Sequence, residues 1–195
     1  MSTNVKTAIK KWEEKHPGDN IVEATKVKLC ALMPPISKMD ANTLNTLTNC
    51  EWLSLSTNAI DKMVRLELPN LKILSLARNK VKKIDGLQAV AGSLEQLWLS
   101  YNEIRDVDGV LCCPKLRVLY LSNNNIKDWG EIEKLRSISS LEDILLVGNP
   151  IYSDDSIADP QAARIRVIQC IPHIQKIDGV VVTPVEVEAA AAAAQ

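Results

Sequence analysis

Apolar residues recur at a constant spacing through the middle of the chain. The segment 71–81 has apolar residues at its first, fourth, sixth and eleventh positions and an asparagine at its ninth. The same spacing returns in segments 94–104 and 116–126, and with Cys or Ile for some leucines in segments 50–60 and 141–151. Successive asparagines are 21, 23, 22 and 25 residues apart. Five copies of such a unit predict a repeat architecture.

The unit reads L-x-x-L-x-L-x-x-N-x-I, which is the leucine-rich repeat. The x-L-x-L part of each unit alternates with period two, so we expect a short strand whose leucines point inward and whose other residues point outward. The predicted fold is therefore α/β: a leucine-rich-repeat solenoid with a parallel β-sheet on one face and helical caps at both ends.

The ninth position of each unit predicts a structural ladder. An asparagine amide placed where the chain turns away from a strand can pair with backbone groups that would otherwise be buried without partners. We assign five residues to this ladder: Asn58, Asn79, Asn102, Asn124 and Asn149.

The ends of the chain depart from the repeat, as capping units do. We predict an N-terminal helical cap over residues 1–28, one degenerate and five regular repeats over residues 29–151, and a C-terminal cap with a terminal helix over residues 152–195. The degenerate unit is placed by matching Leu29 and Ile36 with Leu53 and Ile60 at an offset of 24.

Two capping signals stand in the C-terminal segment. Asp159 followed by Pro160 predicts the start of a helix, because proline is favoured at the first helical position. Thr183 and Glu186 have the spacing of a capping box, which predicts a last helix that runs into the alanines at the end of the chain.

Composition excludes several classes of function. The chain is 46% apolar with a formal net charge of −1, a balance that disfavours a nucleic-acid partner. No apolar run approaches the roughly 18 residues of a membrane span, so we expect no membrane association. The five cysteines have no metal-ligand spacing, and we expect them to be reduced in an intracellular, soluble protein.

Catalytic and cofactor motifs are not found. The two histidines, His16 and His173, lie near opposite ends of the chain and outside any metal or nucleophile signature, and the seven glycines are scattered rather than gathered in a phosphate-binding loop. We therefore expect no enzyme activity, no metal and no cofactor.

The informative residues are those that the repeat does not require. Four of the seven Trp and Tyr residues fall at outward positions three, five and eight, and successive strands make Trp98, Tyr120 and Leu145 neighbours. Exposed apolar patches of this kind mark partner sites, although a terminal segment or an oligomer contact could cover the face instead. The candidate partner-binding residues are Trp52, Ile73, Arg78, Trp98, Tyr101, Val118, Tyr120 and Leu145.

A second feature is a basic group on the turn side of the coil. Lys80, Lys82 and Lys83 lie close together in the sequence, and Arg105 occupies the next unit. A solvated edge is the simpler interpretation, and a contact with an acidic surface such as a microtubule is the alternative.

Several segments outside the repeat resemble a known family. The closing segment 171–179 is similar to the terminal cap of the short, roughly 22-residue class of leucine-rich repeat, which includes phosphatase regulatory subunits and ribonucleoprotein scaffolds. The segments 11–15, 31–40 and 129–132 resemble the leucine-rich-repeat light chains of outer-arm axonemal dynein.

The resemblance implies a non-catalytic subunit of cilia or flagella. It implies a dynein heavy chain as partner, bound in its motor region near the microtubule-binding stalk tip, with tubulin as a candidate further contact. It also implies a location in the cytoplasm, in the cytoskeleton of the axoneme, and a chain that is monomeric by itself within a larger complex. The alternative is a regulatory or scaffold subunit of a protein phosphatase or ribonucleoprotein complex.

Overall fold

One sheet of eight strands runs the length of the molecule in chain order. The structure is a computed structural model, and it describes residues 2–153 and 160–193. The first seven strands pair in parallel and the last pairs antiparallel. The strands are β1 (Lys26–Lys28), β2 (Trp52–Ser54), β3 (Ile73–Ser75), β4 (Gln96–Trp98), β5 (Val118–Tyr120), β6 (Asp143–Leu145), β7 (Lys176–Ile177) and β8 (Val180–Val181).

The strand register confirms the predicted leucine-rich-repeat solenoid. The fourth positions of neighbouring units are paired one to one, and all five are completely buried: Leu53, Leu74, Leu97, Leu119 and Ile144. The apolar residues at positions one, six and eleven are buried with them. Each coil therefore contributes the same set of side chains to one continuous core, which stacking of neighbours completes.

The alignment of the degenerate unit is wrong in its strand. Val27 pairs with Leu53, so Leu29 corresponds to Leu55 and the offset there is 26. Ile36 does match Ile60 at an offset of 24, because the backbone N–H of each donates to the asparagine of the following unit. Two extra residues stand between strand and turn, in the stretch that holds Pro34. The sheet consequently begins at Lys26, inside the segment assigned to the N-terminal cap.

Two helices close the N-terminal end. Helix α1 (Val5–Lys15) is capped by the side chain of Asn4 and buries Val5, Ala8 and Trp12 in the hydrophobic core. Helix α2 (Ala41–Leu44) is a single turn, capped by Asp40.

Helices and 3-10 turns form the later returns and the C-terminal cap. Helix α3 (Trp129–Lys134) continues into a 3-10 turn, and α4 (Pro160–Cys170) packs against α5 (Pro184–Ala192). The predicted capping box is present: Thr183 Oγ1 accepts from the backbone of Glu186, whose carboxylate accepts from the backbone of Thr183. Asp159, the predicted cap of α4, lies outside the described residues.

The two C-terminal helices are joined by a buried ion pair. Arg164 Nε lies 2.6 Å from Glu186 Oε1, and both side chains are at most 14% exposed. Arg164 also donates to the carbonyl of Ile177. The bond from Arg164 lowers the pKa of Glu186 to about 2, so the carboxylate is charged at neutral pH. No helix in the described part of the chain is long and apolar enough to cross a membrane.

Candidate functional site

The interior edge of the sheet is held by the ninth-position asparagines. Asn102 Nδ2 donates to the carbonyls of Leu76 and Leu99, and its Oδ1 accepts from Val81 N–H at 2.9 Å. Each of these amides therefore joins two neighbouring coils. The same three bonds recur at Asn58, Asn79, Asn124 and Asn149.

The residue before each asparagine has a left-handed backbone. Arg78 has φ of 56° and Tyr101 has φ of 60°, and the residues before the other three asparagines have φ between 54° and 80°. This conformation turns the chain off the strand and presents position eight at the edge of the outward face. The Arg78 guanidinium carbon lies 4.3 Å from the Tyr101 ring centroid, close enough for a cation–π contact.

Three aromatic rings cross the middle of the outward face. The ring centroids of Trp52 and Trp98 are 5.7 Å apart with an edge-to-face geometry, and those of Trp98 and Tyr120 are 6.1 Å apart and nearly parallel. Tyr120 is paired in register with Leu145, which continues the apolar surface. We call Trp52, Trp98 and Tyr120 the aromatic row. These rings and the half-buried Ile73 and Val118 form the face that the repeat leaves free.

The contact between Trp52 and Trp98 was not predicted, since an intervening strand separates the two residues. It is possible because position five is serine in the first two regular units. Ser54 and Ser75 are at most 6% exposed, and their hydroxyl groups are hydrogen-bonded through Ser56. Small side chains there leave room for the large rings to meet above the sheet.

The indole N–H groups of the aromatic row are unsatisfied. Nε1 of Trp52 and Nε1 of Trp98 are buried and have no hydrogen-bond partner among the described residues. A buried donor without an acceptor costs on the order of 1–3 kcal/mol, and such groups in folded proteins call for an explanation. The face is therefore not arranged for the greatest stability of the isolated chain.

Two lysines that the sequence analysis missed lie beside the aromatic row. Lys26 Nζ is 3.7 Å from the Trp52 ring centroid and Lys28 Nζ is 5.1 Å from it. Both residues are on β1 and flank the buried Val27. The alternation Lys-Val-Lys-Leu was the available signal, and the two-residue error in the alignment of the degenerate unit concealed it.

The opposite end of the face carries a paired acid. Asp143 Oδ2 accepts from Tyr120 Oη at 3.1 Å and from Lys176 Nζ at 3.1 Å. Burial of the ring, followed by the nearby Asp143 charge, raises the pKa of Tyr120, which therefore stays a neutral donor at physiological pH. The Asp143 charge is compensated within the chain.

Charges alternate along the rim next to the sheet, at position two of the units. Lys72 forms an ion pair with Glu51 at 2.9 Å, and Arg117 forms one with Glu142 at 2.7 Å. Glu95 lies between these pairs, and its charge raises the pKa of both Lys72 and Arg117 further. The rim therefore largely neutralises itself.

The basic group of the turn side is separate from the aromatic row. Lys80, Lys82, Lys83 and Arg105 are all exposed. Lys82 lies 3.8 Å from Glu103, and Lys82 and Lys83 share a cavity with Asp61 and Asp85. This surface is consequently mixed in charge rather than uniformly basic.

The remaining reactive side chains have structural surroundings. His16 Nδ1 lies 2.8 Å from the carbonyl of Trp12 and its ring stacks on that indole, while His173 Nε2 lies 2.9 Å from the carbonyl of Ile138. Burial raises the pKa of the Cys50 thiol to about 11. Within residues 2–153 and 160–193, no three metal-ligating side chains gather into a site.

The fold and its repeated outward face define the class: a leucine-rich-repeat protein. A family model described as "Leucine Rich repeats (2 copies)" matches residues 93–137. The chain belongs to the axonemal dynein light chain 1 family. It is 47% identical over 191 residues to dynein axonemal light chain 1 of Chlamydomonas reinhardtii, covering 96% of this chain and 93% of that relative.

Other relatives agree over similar lengths. The identity is 48% to dynein axonemal light chain 1 of Danio rerio, covering 91% of each chain, and 46% to that of Homo sapiens, covering 94% of each. Among solved structures, a leucine-rich-repeat protein of Leptospira interrogans has a TM-score of 0.57 at 21% identity, covering 73% of this chain and 34% of that one. This second kind of likeness shows the fold alone.

Proposed function

We propose that this chain is a non-catalytic light chain of outer-arm axonemal dynein that docks through its sheet face on the motor region of a heavy chain, near the microtubule-binding stalk tip. By adding bulk there, it regulates how the motor meets its track, and so regulates ciliary or flagellar motility. It acts in the cytoplasm, within the cytoskeleton of the axoneme. The names of its relatives support the dynein assignment.

The aromatic row is the observation that carries the docking surface. Trp and Tyr are the residues most enriched among interface hot spots, because they bury a large area at a small cost in side-chain entropy. The strands beneath Trp98 and Tyr120 are held rigidly by the core and by the asparagine ladder, so the face is formed before a partner arrives. Arg78 and Tyr101 extend it along one edge.

The basic group has a secondary role in this proposal. Lys80, Lys83 and Arg105 are exposed and have no ion pair in the described part of the chain, while Lys82 has only the 3.8 Å contact with Glu103. They are free to meet the acidic surface of a microtubule once the sheet face is occupied. Such a contact would be sensitive to salt.

A titration against a purified dynein heavy-chain motor fragment tests the docking surface. Each of Trp98→Ala and Tyr120→Ala should cost on the order of 2 kcal/mol, and the double variant should weaken capture by at least about a hundredfold. Circular dichroism should show that the variants keep their fold, because both side chains lie outside the core.

The matched control is the double variant Lys82→Ala, Lys83→Ala. It changes two exposed residues on the turn side and should leave capture by the heavy chain nearly unchanged. A folded Trp98→Ala, Tyr120→Ala protein that binds as tightly as the unchanged chain would move the site off the sheet face and refute the proposal.

A further inference from the structure

The charges of the sheet face are distributed unequally between those with partners and those without. Lys72, Arg117 and Lys176 each lie within 3.1 Å of a carboxylate oxygen. Lys26 and Lys28 have no ion pair among the described residues, and their ammonium groups lie over the Trp52 ring. Arg78 likewise has no ion pair among the described residues, and its guanidinium lies over the Tyr101 ring. Glu95 on the rim has no ion pair of its own among the described residues, although its charge acts on the nearby Lys72 and Arg117. The other charges that the described residues leave without an ion pair on this face, those of Lys26, Lys28 and Arg78, are positive.

These three cations lie at one end of the face. Lys26 and Lys28 are on β1, and Arg78 follows β3. At the other end, the charge of Asp143 on β6 is compensated by Lys176. The charge of the face therefore changes from one end to the other. The face is cationic over β1 to β3, aromatic over β4 and β5, and electrically neutral at β6.

The arrangement of the rings favours carboxylates over nucleic-acid phosphates as the complementary anion. Single-stranded nucleic acid is held by basic residues together with free ring faces on which bases stack. Here Lys26 covers the Trp52 ring at 3.7 Å, and the rings of Trp98 and Tyr120 are stacked on each other. The rings are engaged within the chain, whereas the ammonium groups remain open to a charged side chain.

We infer that the segment bound to this face is a polypeptide whose acidic residues lie over β1 to β3 and whose apolar residues lie over β4 to β6. This inference rests on the proposed function, since it describes the heavy-chain segment that docks there. Strands are about 4.8 Å apart, so Lys26 and Trp98 are separated by about 14 Å across the sheet. A helix spans that distance in about ten residues and an extended chain in about four, which sets the spacing between acidic and apolar anchors in the partner.

The salt dependence of binding tests this charge complementarity. Capture of the purified heavy-chain motor fragment by the unchanged chain should weaken as salt rises from about 50 to about 300 mM. Lys26→Gln, Lys28→Gln should reduce capture about tenfold at the lower salt and should flatten the salt dependence. The matched control, Lys115→Gln, Lys127→Gln, removes the same charge from two exposed residues outside the strands and should retain the behaviour of the unchanged chain.

Zero-length carbodiimide coupling gives a second readout, because it joins an amine only to a carboxylate in direct contact. Mass spectrometry should find Lys26 or Lys28 joined to an Asp or Glu of the heavy-chain fragment. Full capture by Lys26→Gln, Lys28→Gln with an unchanged salt dependence would overturn the inference. So would displacement of the fragment by a single-stranded RNA homopolymer that itself binds the sheet face.

The two proposals fail in different ways. If Trp98→Ala, Tyr120→Ala abolishes capture while Lys26→Gln, Lys28→Gln does not change it, the docking surface stands and the acidic partner is refuted. If the unchanged chain does not capture the heavy-chain fragment at all, both proposals fall together.

Discussion

The two sides of the sheet differ in whether their buried polar groups are hydrogen-bonded, as Asn102 and Trp98 show. On the inner side, Asn102 is 9% exposed, and its amide donates two hydrogen bonds and accepts one, which join its own coil to the preceding one. On the outer side, the indole N–H of Trp98 is buried and has no hydrogen-bond partner among the described residues. The inner side stabilises the fold, while the outer side keeps hydrogen-bond donors that have no acceptor among the described residues.

This difference shows where a repeat protein can vary. Positions four, six and nine recur because each coil must present the same leucines and the same amide to its neighbour. Positions three, five and eight meet no such requirement, so they hold residues as different as Ser75, Trp98 and Leu145. Substitutions should consequently affect folding on the inner side and binding on the outer side.

The largest expected effect on stability comes from the inner side. Asn102→Leu keeps nearly the same size, leaves the N–H of Val81 buried without an acceptor, and removes one of two amide donors from the carbonyls of Leu76 and Leu99. We expect a loss of about 3 kcal/mol in the free energy of unfolding and a decrease of about 8 °C in Tm. Thermal unfolding followed by circular dichroism measures both.

Asn125→Leu is the matched control for this prediction. Asn125 is at position ten of the following unit, directly after Asn124. It is half-buried, and its side chain makes no hydrogen bond to the described residues. The control should lose less than about 0.5 kcal/mol. Equal melting of Asn102→Leu and the unchanged chain would show that the amide does not hold the two coils together.

A smaller effect is expected at the C-terminal cap, where the buried polar groups are also paired. Glu186→Gln removes the charge that pairs with Arg164 but keeps an oxygen that can accept a hydrogen bond, so we expect a loss of about 2 kcal/mol at pH 7. Glu188→Gln, an exposed change on the same helix, is the control.

The stabilisation by Glu186 should depend on pH. The pKa of Glu186 falls from 4.5 to about 2 on folding, so its charged form stabilises the fold above pH 4.5. That contribution is lost as pH falls from 4.5 to about 2. The difference in unfolding free energy between Glu186→Gln and the unchanged chain should therefore shrink over this interval. A difference that stayed constant would contradict the ion pair.

The inner side could be predicted from the sequence almost completely. The spacing of Leu74, Leu97 and Leu119 is enough to place these residues in one register, because parallel coils repeat one geometry. The exception is the degenerate unit, where the stretch that holds Pro34 has two more residues between the strand and the turn than the regular units have. A repeat aligned on its turn then misplaces the strand by two residues.

The outer side could be predicted only in part. The outward direction of Trp98 and its place next to Tyr120 follow from the period of two, and the register confirms both. The edge-to-face contact between Trp98 and Trp52 depends on how the two rings are oriented over two small serines. The period of two along a strand gives the side on which a ring lies but not this orientation. The role of these residues in binding stays a prediction.

Photo-crosslinking tests the central claim, that the outward face binds the heavy chain, most directly. Gln96 lies between Ile73 and Val118 in the middle of the face, whereas the exposed Gln88 belongs to a return between strands. Each would be replaced in turn by p-benzoylphenylalanine and irradiated with the purified heavy-chain motor fragment. We expect a covalent product from Gln96→p-benzoylphenylalanine and none from Gln88→p-benzoylphenylalanine. A product from position 88 with none from position 96 would contradict it.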